Sequence, residues 1–519
     1  MLTSSKPQGQ RSWLLPISSH HNMRSEDCVR LSMPESCPFT ISRINLTSES
    51  GHDTWLIREH DQYGEYPQIY AKVCRTPSQQ SLSRCQHGGP IDSKEMASVI
   101  ADKVIVLSDA GCGTEVPNTT TIDHSTLADN NQTPSKARTG PEPEVWNLRT
   151  FLEYTINPDG RIPYLVVSTH CHYDHILGLA KLPHTTTGDA LAPGNQENLV
   201  GSRPATTVLA SSHDKSFVTP YSNLQRHSLC KSVGLKAPAY SITWAEDLSR
   251  VTWRSPSPPT EPSIPTSVTV LHTPGHTPDS LSWYDADLAL LCVGDTFYVK
   301  ETDVTRAPPW GPEPPMPTIF PSEGNMADLW QTLKKLLDFV QARKKELLSQ
   351  HDLSRTKVAR CHSHRCAGQD QCGFYHEQTL EPLFREEMVN SWVEDDWLLV
   401  DLQLESPRVY LAAAHTTVSL DAEAAIKSFG EFMARVLRDQ IPKVRVDDGG
   451  HGEERWLWDY ALQDDGHARS HEGGKHDDED TAESNPNDDL RYLYQFSVVA
   501  PLKIIEEGRK KIALDDYLI

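Results

Sequence analysis

His170-Cys171-His172-Tyr173-Asp174-His175 places three imidazoles and a carboxylate within six residues. They follow the apolar run Tyr164-Leu165-Val166-Val167, with only Ser168 and Thr169 between. A hydrophobic core has no use for that combination, because each buried ring nitrogen and carboxylate oxygen needs a partner. A metal ion does, since neutral imidazole nitrogen and carboxylate oxygen are donors that Zn2+ and related ions accept. In an extended segment, alternate side chains point the same way, which suits His170 and His172.

Three more candidates stand in the same kind of place. His276, within Thr273-Pro274-Gly275-His276-Thr277-Pro278-Asp279, follows the run Val268-Thr269-Val270-Leu271-His272. Asp295 follows Gly294 after Leu288-Ala289-Leu290-Leu291-Cys292-Val293, and His415 ends Val409-Tyr410-Leu411-Ala412-Ala413-Ala414. Every candidate therefore sits at the C-terminal end of a strand, and such ends can be gathered along one edge of a sheet. Gly275 and Gly294 let the backbone turn the next side chain into a site.

Taken in order, the hexapeptide, Gly275-His276-Thr277, Gly294-Asp295 and His415 resemble the successive motifs of the metallo-β-lactamase superfamily. Within it the chain is more similar to the glyoxalase-II-like and lactonase-like branch, because Asp174 is present and Asp295 can bridge. The resemblance covers roughly residues 39–440. It implies the α+β class, an αββα sandwich with its site along one edge. It also implies a binuclear site, with His170, His172 and His276 on the first metal and Asp174, His175 and His415 on the second. Asp295 would bridge both. Two Zn2+ per chain are expected, and the same donors accept iron or manganese. Seven ligands shared by two ions leave positions open for water, the mark of catalysis.

The expected reaction is hydrolysis. Metal-bound hydroxide, formed because the pKa of water falls from 15.7 to about 7, attacks an ester, thioester or lactone carbonyl of a small molecule. Asp174 is the catalytic candidate, orienting the nucleophile or taking a proton. The alternatives are a phosphodiesterase or nuclease, an iron-dependent sulfur dioxygenase, and a non-catalytic metal-binding scaffold. Tyr173 and Tyr298 can reach a substrate, although packing is the first reading of both. Cys171 reads as a spacer. His184, His213, His227 and His272 read as structural or exposed. Two departures from the family pattern stand out. Ala414 takes the place of the usual Gly before the last His, and a run at about 351–406 is inserted before that strand. The run holds Cys361-His362-Ser363-His364-Arg365-Cys366, Cys372 and His376, whose spacing matches no standard zinc knuckle, so it reads as an ordinary insertion. His362 rivals His415 as the last ligand, and the apolar strand before His415 favours the latter.

Composition narrows the partners. Against 49 Lys and Arg stand 71 Asp and Glu, a net charge of −22, which disfavours a polyanion held by a basic field. A small-molecule substrate and no nucleic acid are expected. Eleven Cys without a regular framework suit a reducing compartment. The apolar patch Trp13-Leu14-Leu15 is too short for a signal-peptide core, and no run approaches a membrane-spanning length. A cytoplasmic protein that does not engage membranes is the expectation; nothing fixes an oligomeric state.

The elements that must carry these residues follow from periodicity. Strands are expected at 39–44, 54–58, 68–73, 104–107, 163–168, 207–211, 268–272, 288–293 and 409–414. Helices are expected at 144–154, 223–233, 325–348 and 421–438. Residues 1–35 read as a disordered N-terminal segment and 36–445 as the metallo-β-lactamase-like domain, with insertions at about 114–143, 184–205 and 351–406. Residues 446–489 read as an acidic low-complexity linker, and 490–519 as a C-terminal strand and tail.

Overall fold

The computed structural model describes residues 28–31, 33–44, 54–76, 103–118, 142–183, 204–254, 263–300, 319, 322–363, 407–446, 454–460, 462 and 496–512. The chain divides into two units, 1–338 with 409–519, and 339–408. All the described strands lie in the first.

The first sheet opens with β1 (Cys28–Arg30), β2 (Phe39–Ile44), β3 (Thr54–Glu59), β4 (Gln68–Arg75) and β5 (Lys103–Ser108), antiparallel in succession. A short ladder of β6 (Val116–Pro117) and β7 (Val145–Trp146) leads into α1 (Leu148–Thr155). Then β8 (Tyr164–Val167), β9 (Thr207–Ser211) and β10 (Ile242–Ala245) extend the sheet in parallel from β5. The connections carry α2 (Tyr173–Ile176), α3 (Lys215–Val218) and α4 (Tyr221–His227), as parallel pairing requires crossovers.

Alternation along these strands sorts side chains to two faces. Ile41, Ile57, Ile69, Ile105, Leu107, Val166 and Val208 meet Phe151, Leu152, Phe217 and Leu224 of the helices. Leu56, Tyr70, Val104, Val106, Leu165 and Val167 face the other way and share a core with Val268, Val270, Trp283, Leu290 and Ala412. Those last residues belong to the second sheet, built from β11 (Arg250–Trp253), β12 (Ile264–His272), β13 (Leu281–Asp285), β14 (Leu290–Cys292), β15 (Tyr410–Ala412) and β16 (Leu420–Asp421). Its far side is covered by the start of α5 (Met326–Ser363) and by α6 (Ala422–Leu437), whose Phe429 stacks on Phe297 at 4.7 Å. Two sheets face to face with helices outside are the expected α+β sandwich.

Several boundaries differ from the sequence reading, each for a local reason. β1 lies inside the stretch expected to be disordered; it pairs with Ser42–Ile44 and is too short to show a period. The helix expected from Glu144 begins at Leu148, because the Asn147 side chain accepts from Thr150 N (3.1 Å) and Thr150 Oγ1 accepts from Asn147 N (2.9 Å). The helix expected to reach Val233 stops at His227, ahead of Leu229 at φ 57°. In the supposed acidic linker, Arg455-Trp456-Leu457-Trp458-Asp459 is a strand, β18 (Arg455–Asp459), paired between β17 (Lys443–Val446) and β19 (Ser497–Pro501). β19 leads directly into α7 (Leu502–Lys511), where only a tail is expected. Arg509 Nε donates to Leu437 O at 2.6 Å, tying α7 to the carbonyl end of α6. Finally, α5 runs through Ser363 into the expected insertion. Residues 1–27, 119–141, 184–203, 364–406 and 463–495, which include His184, His364, Cys366, Cys372 and His376, lie outside the described residues. Among the described residues, no helix is long and apolar enough to cross a membrane.

Candidate metal centre

Backbone bonds between the two sheets hold the strand ends together. Beyond β8, Thr169 donates its N–H and its hydroxyl to the two oxygens of Asp109 (2.7 and 2.8 Å). Thr169 O accepts from Leu281 N (2.7 Å), which joins β8 to the start of β13. His170 and His172 follow on non-helical backbone, and Asp174 and His175 lie in α2. Beyond β12, Gly275 has φ +147°, and a Cβ there would stand 2.6 Å from Leu329 Cα. Its carbonyl accepts from Asn325 N (2.8 Å), whose side chain caps α5, so the helix start pins the His276 loop. Gly294, at φ +56°, turns Asp295 inward past Thr169. Beyond β15, Ala414 N donates to Gly294 O (3.1 Å) and Ala414 O accepts from Gln68 N (2.7 Å).

All seven sequence candidates come together. His170, His172 and His276 form one group and Asp174, His175, Asp295 and His415 another; within each, the donor atoms lie within 4.8 Å of one another. Asp295 stands between the groups. Its Oδ2 is 4.0 Å from His170 Nε2, 4.0 Å from His276 Nε2 and 3.4 Å from His175 Nε2, while Oδ1 is 3.6 Å from His415 Nε2. Asp174 Oδ2 is 3.1 Å from His175 Nε2 and 3.3 Å from His415 Nε2. His415 thus reaches the other candidates with Ala414 in place of Gly.

The donor set fits a metal. Four of the rings are tethered through the nitrogen that points outward. His170 Nδ1 donates to Thr169 Oγ1 (3.2 Å), His172 Nε2 to Glu323 Oε2 (3.0 Å), His175 Nδ1 to Asp109 Oδ2 (3.0 Å) and His415 Nδ1 to Glu65 O (2.8 Å). The other nitrogen of each ring then faces inward, where the neutral ring offers its lone pair, as ligation requires. His170 Nε2, His175 Nε2 and Asp295 Oδ1 are buried and make no well-aligned hydrogen bond. Buried polar atoms without partners are rare in native folds, and a shared cation accounts for all three.

The electrostatics agree. Burial, then the His175, His172 and His276 rings, pushes His170 well below the usual imidazole range, leaving a neutral donor. Burial opposes charge on His175 and His415, but Asp174 and Asp295 outweigh it and hold both rings well above that range. Burial likewise opposes charge on Asp174 and Asp295, and the same two imidazoles hold their carboxyls well below the usual value. The carboxylates therefore call for positive charge at the centre, which among the described residues comes from protonating the candidate ligands His175 and His415.

Residues 261–351 match the family model described as Metallo-beta-lactamase superfamily. Over that stretch the chain is similar to the metallo-β-lactamase superfamily. It is 25% identical over 271 residues to a protein of Aspergillus versicolor named "Putative transcription factor avaE", covering 50% of this chain and 56% of that one. Two solved structures are among those to which the chain is similar. A metallo-β-lactamase from Pontibacter korlensis is 14% identical over 57% of this chain and 86% of that one, with a TM-score of 0.26. A β-lactamase domain protein from Burkholderia ambifaria is 12% identical over 74% and 72%, with a TM-score of 0.30. The described residues include His/Asp groups able to hold metal ions.

Around this candidate metal centre the structure adds residues that sequence reasoning passed over. Asp109 follows β5 as Asp295 follows β14, so the strand-end rule could have found it; the small-residue turn Ser108–Gly113 hid it. Glu65, pushed up to about 7 by burial and then by Asp174, accepts from the Tyr173 hydroxyl. That engages Tyr173, whose ring also packs edge-on against Tyr63 at 5.6 Å. Tyr298 is buried with its ring 5.2 Å from His415. Glu323 carries no sequence signal. His227, which reads as structural or exposed, donates Nδ1–H to Glu323 Oε1 (2.9 Å). His272 is structural, its Nε2 bonded to Ala245 O at 2.8 Å.

Proposed function

We propose that the chain is a hydrolase that holds two divalent ions, Zn2+ first among them, and cleaves an ester, thioester or lactone carbonyl in a small molecule. The convergence of seven donors, with Asp295 shared between two groups, carries this reading. His170, His172 and His276 would hold one ion, and Asp174, His175 and His415 the other. Ions bound there would act as Lewis acids and bring the pKa of water from 15.7 to about 7. Asp174, a carboxylate rather than an acid in this setting, orients a water or accepts its proton. Burial keeps the Tyr298 phenol protonated, so it can donate to a substrate oxygen. Asp109, Thr169 and Glu65 O hold the rings in place before anything binds. The net charge of −22 favours a small substrate over a nucleic acid.

The test is elemental analysis of protein purified without chelator or added metal, followed by turnover on lactones, thioesters, β-lactams and phosphodiesters. Two ions per chain and turnover of an ester-type substrate are expected. Metal near zero, or turnover restricted to phosphodiesters, overturns the reading. Iron with oxygen uptake on a persulfide moves it to a dioxygenase.

A further inference from the structure

We propose that Glu323, anchored by His227, is a positioning residue that fixes the tautomer of His172 and presents its Nδ1 to the centre. The inference rests on the reading of the cluster as a metal site. Glu323 Oε2 lies 3.0 Å from His172 Nε2 and Oε1 lies 2.9 Å from His227 Nδ1. The carboxylate is 3% exposed, so each oxygen must be satisfied by protein. A carboxylate only accepts, hence both rings donate to it, and the proton of His172 sits on Nε2. The lone pair is then on Nδ1, which lies 3.2 Å from His276 Nε2 inside the first donor group.

The placement of Glu323 is not incidental to the centre. It precedes Asn325, the residue that caps α5 and binds Gly275 O, so one short segment orders both His276 and the partner of His172. His227 fixes the carboxylate from the other side. It ends α4 and stacks on Phe217 at 4.2 Å, which sets its ring plane. His227 belongs to neither donor group. Two rings thus grip one carboxylate, and its orientation toward His172 is determined without using either oxygen twice.

The experiment compares the full chain with Glu323→Gln, Glu323→Ala and His227→Phe. Nitrogen NMR of histidine-labelled, metal-free protein reports which nitrogen of His172 carries the proton, and chelator competition reports Zn2+ affinity. Nε2–H is expected in the native protein, with mixed tautomers in Glu323→Ala. Zn2+ affinity should fall about 10–100-fold in Glu323→Ala, less in Glu323→Gln, and least in His227→Phe, which keeps the stack on Phe217. Nδ1–H in the native protein overturns the inference, as do Zn2+ affinities that stay level across the series. If native protein binds no Zn2+ yet shows the tautomer change, the metal reading fails and the tautomer lock stands. Should Glu323→Ala not fold, the Gln and Phe variants carry the same two readouts.

Discussion

Two buried clusters of charge join the two sheets, and only one of them is complete. At one, Lys72 Nζ meets Asp285 Oδ1 and Oδ2 (2.7 Å each), Asp287 Oδ2 (2.7 Å) and Ser267 Oγ (2.6 Å). Burial opposes the Lys72 charge and the two carboxylates outweigh it, so the ammonium is kept. At the other, His170 Nε2, His175 Nε2 and Asp295 Oδ1 are left without aligned partners. β13 runs between them, from Leu281 bonded to Thr169 O to Asp285 under Lys72, a span of about 13 Å at the usual rise per residue. The difference teaches which buried charge is architecture. A network that satisfies itself pins the sheets, and one that converges without closing is shaped for something it must bind.

Substitution should split these roles. Asp295→Ala removes the carboxylate between the two donor groups, and turnover should fall at least about a thousand-fold, since several kcal/mol of electrostatic stabilisation goes with it. Metal per chain should drop while the melting curve of the metal-free protein keeps its two-state form. Lys72→Met should do the opposite. It strands Asp285 at 1% exposure, which costs on the order of 3–5 kcal/mol of stability, readable by denaturant titration. Metal content should not change. If Lys72→Met strips metal at temperatures where it is folded, the two clusters are coupled and the division fails.

The sandwich and the convergence of the seven candidate residues were legible in the sequence, because both depend on strand ends. Alternation at Phe39–Ile44 and unbroken apolar runs at 104–107 and 164–167 fix which segments are buried. Ligands placed just after such runs are then gathered by the sheet itself. Partners that approach from elsewhere were not legible. Glu323 reaches His172 from the turn into α5, and Glu65 meets His415 through a backbone carbonyl that has no residue code. β18 was missed because its Trp456 and Trp458 stand among acidic neighbours that lower the local apolar signal. The end of α5 was missed for the converse reason, since a polar helix continuing past Leu348 has no apolar stripe to announce it.

Glu59 offers an intermediate case between the two clusters. Its oxygens accept from Cys112 N and Thr114 N (2.8 Å each), and among the described residues no cationic side chain is paired with it. Burial raises its carboxyl from 4.5 to about 7, more than those bonds lower it. Below pH 4.5 the group is protonated in both folded and unfolded chains, and the stability it lends is fully present. As pH rises toward 7 the unfolded chain has released a proton that the folded chain still holds, so stability falls, by about 3 kcal/mol across the window. Glu59→Gln should flatten that part of the stability profile, as measured by denaturant midpoints between pH 4.5 and pH 8. A variant profile parallel to the native one would mean that backbone donors alone keep the carboxylate ionised.

The smallest effect is expected at Ala414, and it bears on whether the open cluster is under strain. The residue is 1% exposed, its N–H is bonded to Gly294 beyond the neighbouring strand and its carbonyl to Gln68 of the first sheet, and it is not among the left-handed positions, whereas Thr416 at φ 35° is. The strain of this turn therefore lies beyond His415. There the Thr416 hydroxyl donates to Val299 O (2.6 Å) and Thr417 Oγ1 accepts from Val299 N (3.0 Å). Glycine at 414 would relieve nothing and would add freedom to the unfolded chain. Ala414→Gly should lower stability by about 0.5–1 kcal/mol and leave metal stoichiometry and chelator competition unchanged. A gain of about tenfold in metal affinity, equal to 1.4 kcal/mol, would show instead that the methyl group holds His415 off its best position, and that the centre is less preorganised than its tethers suggest.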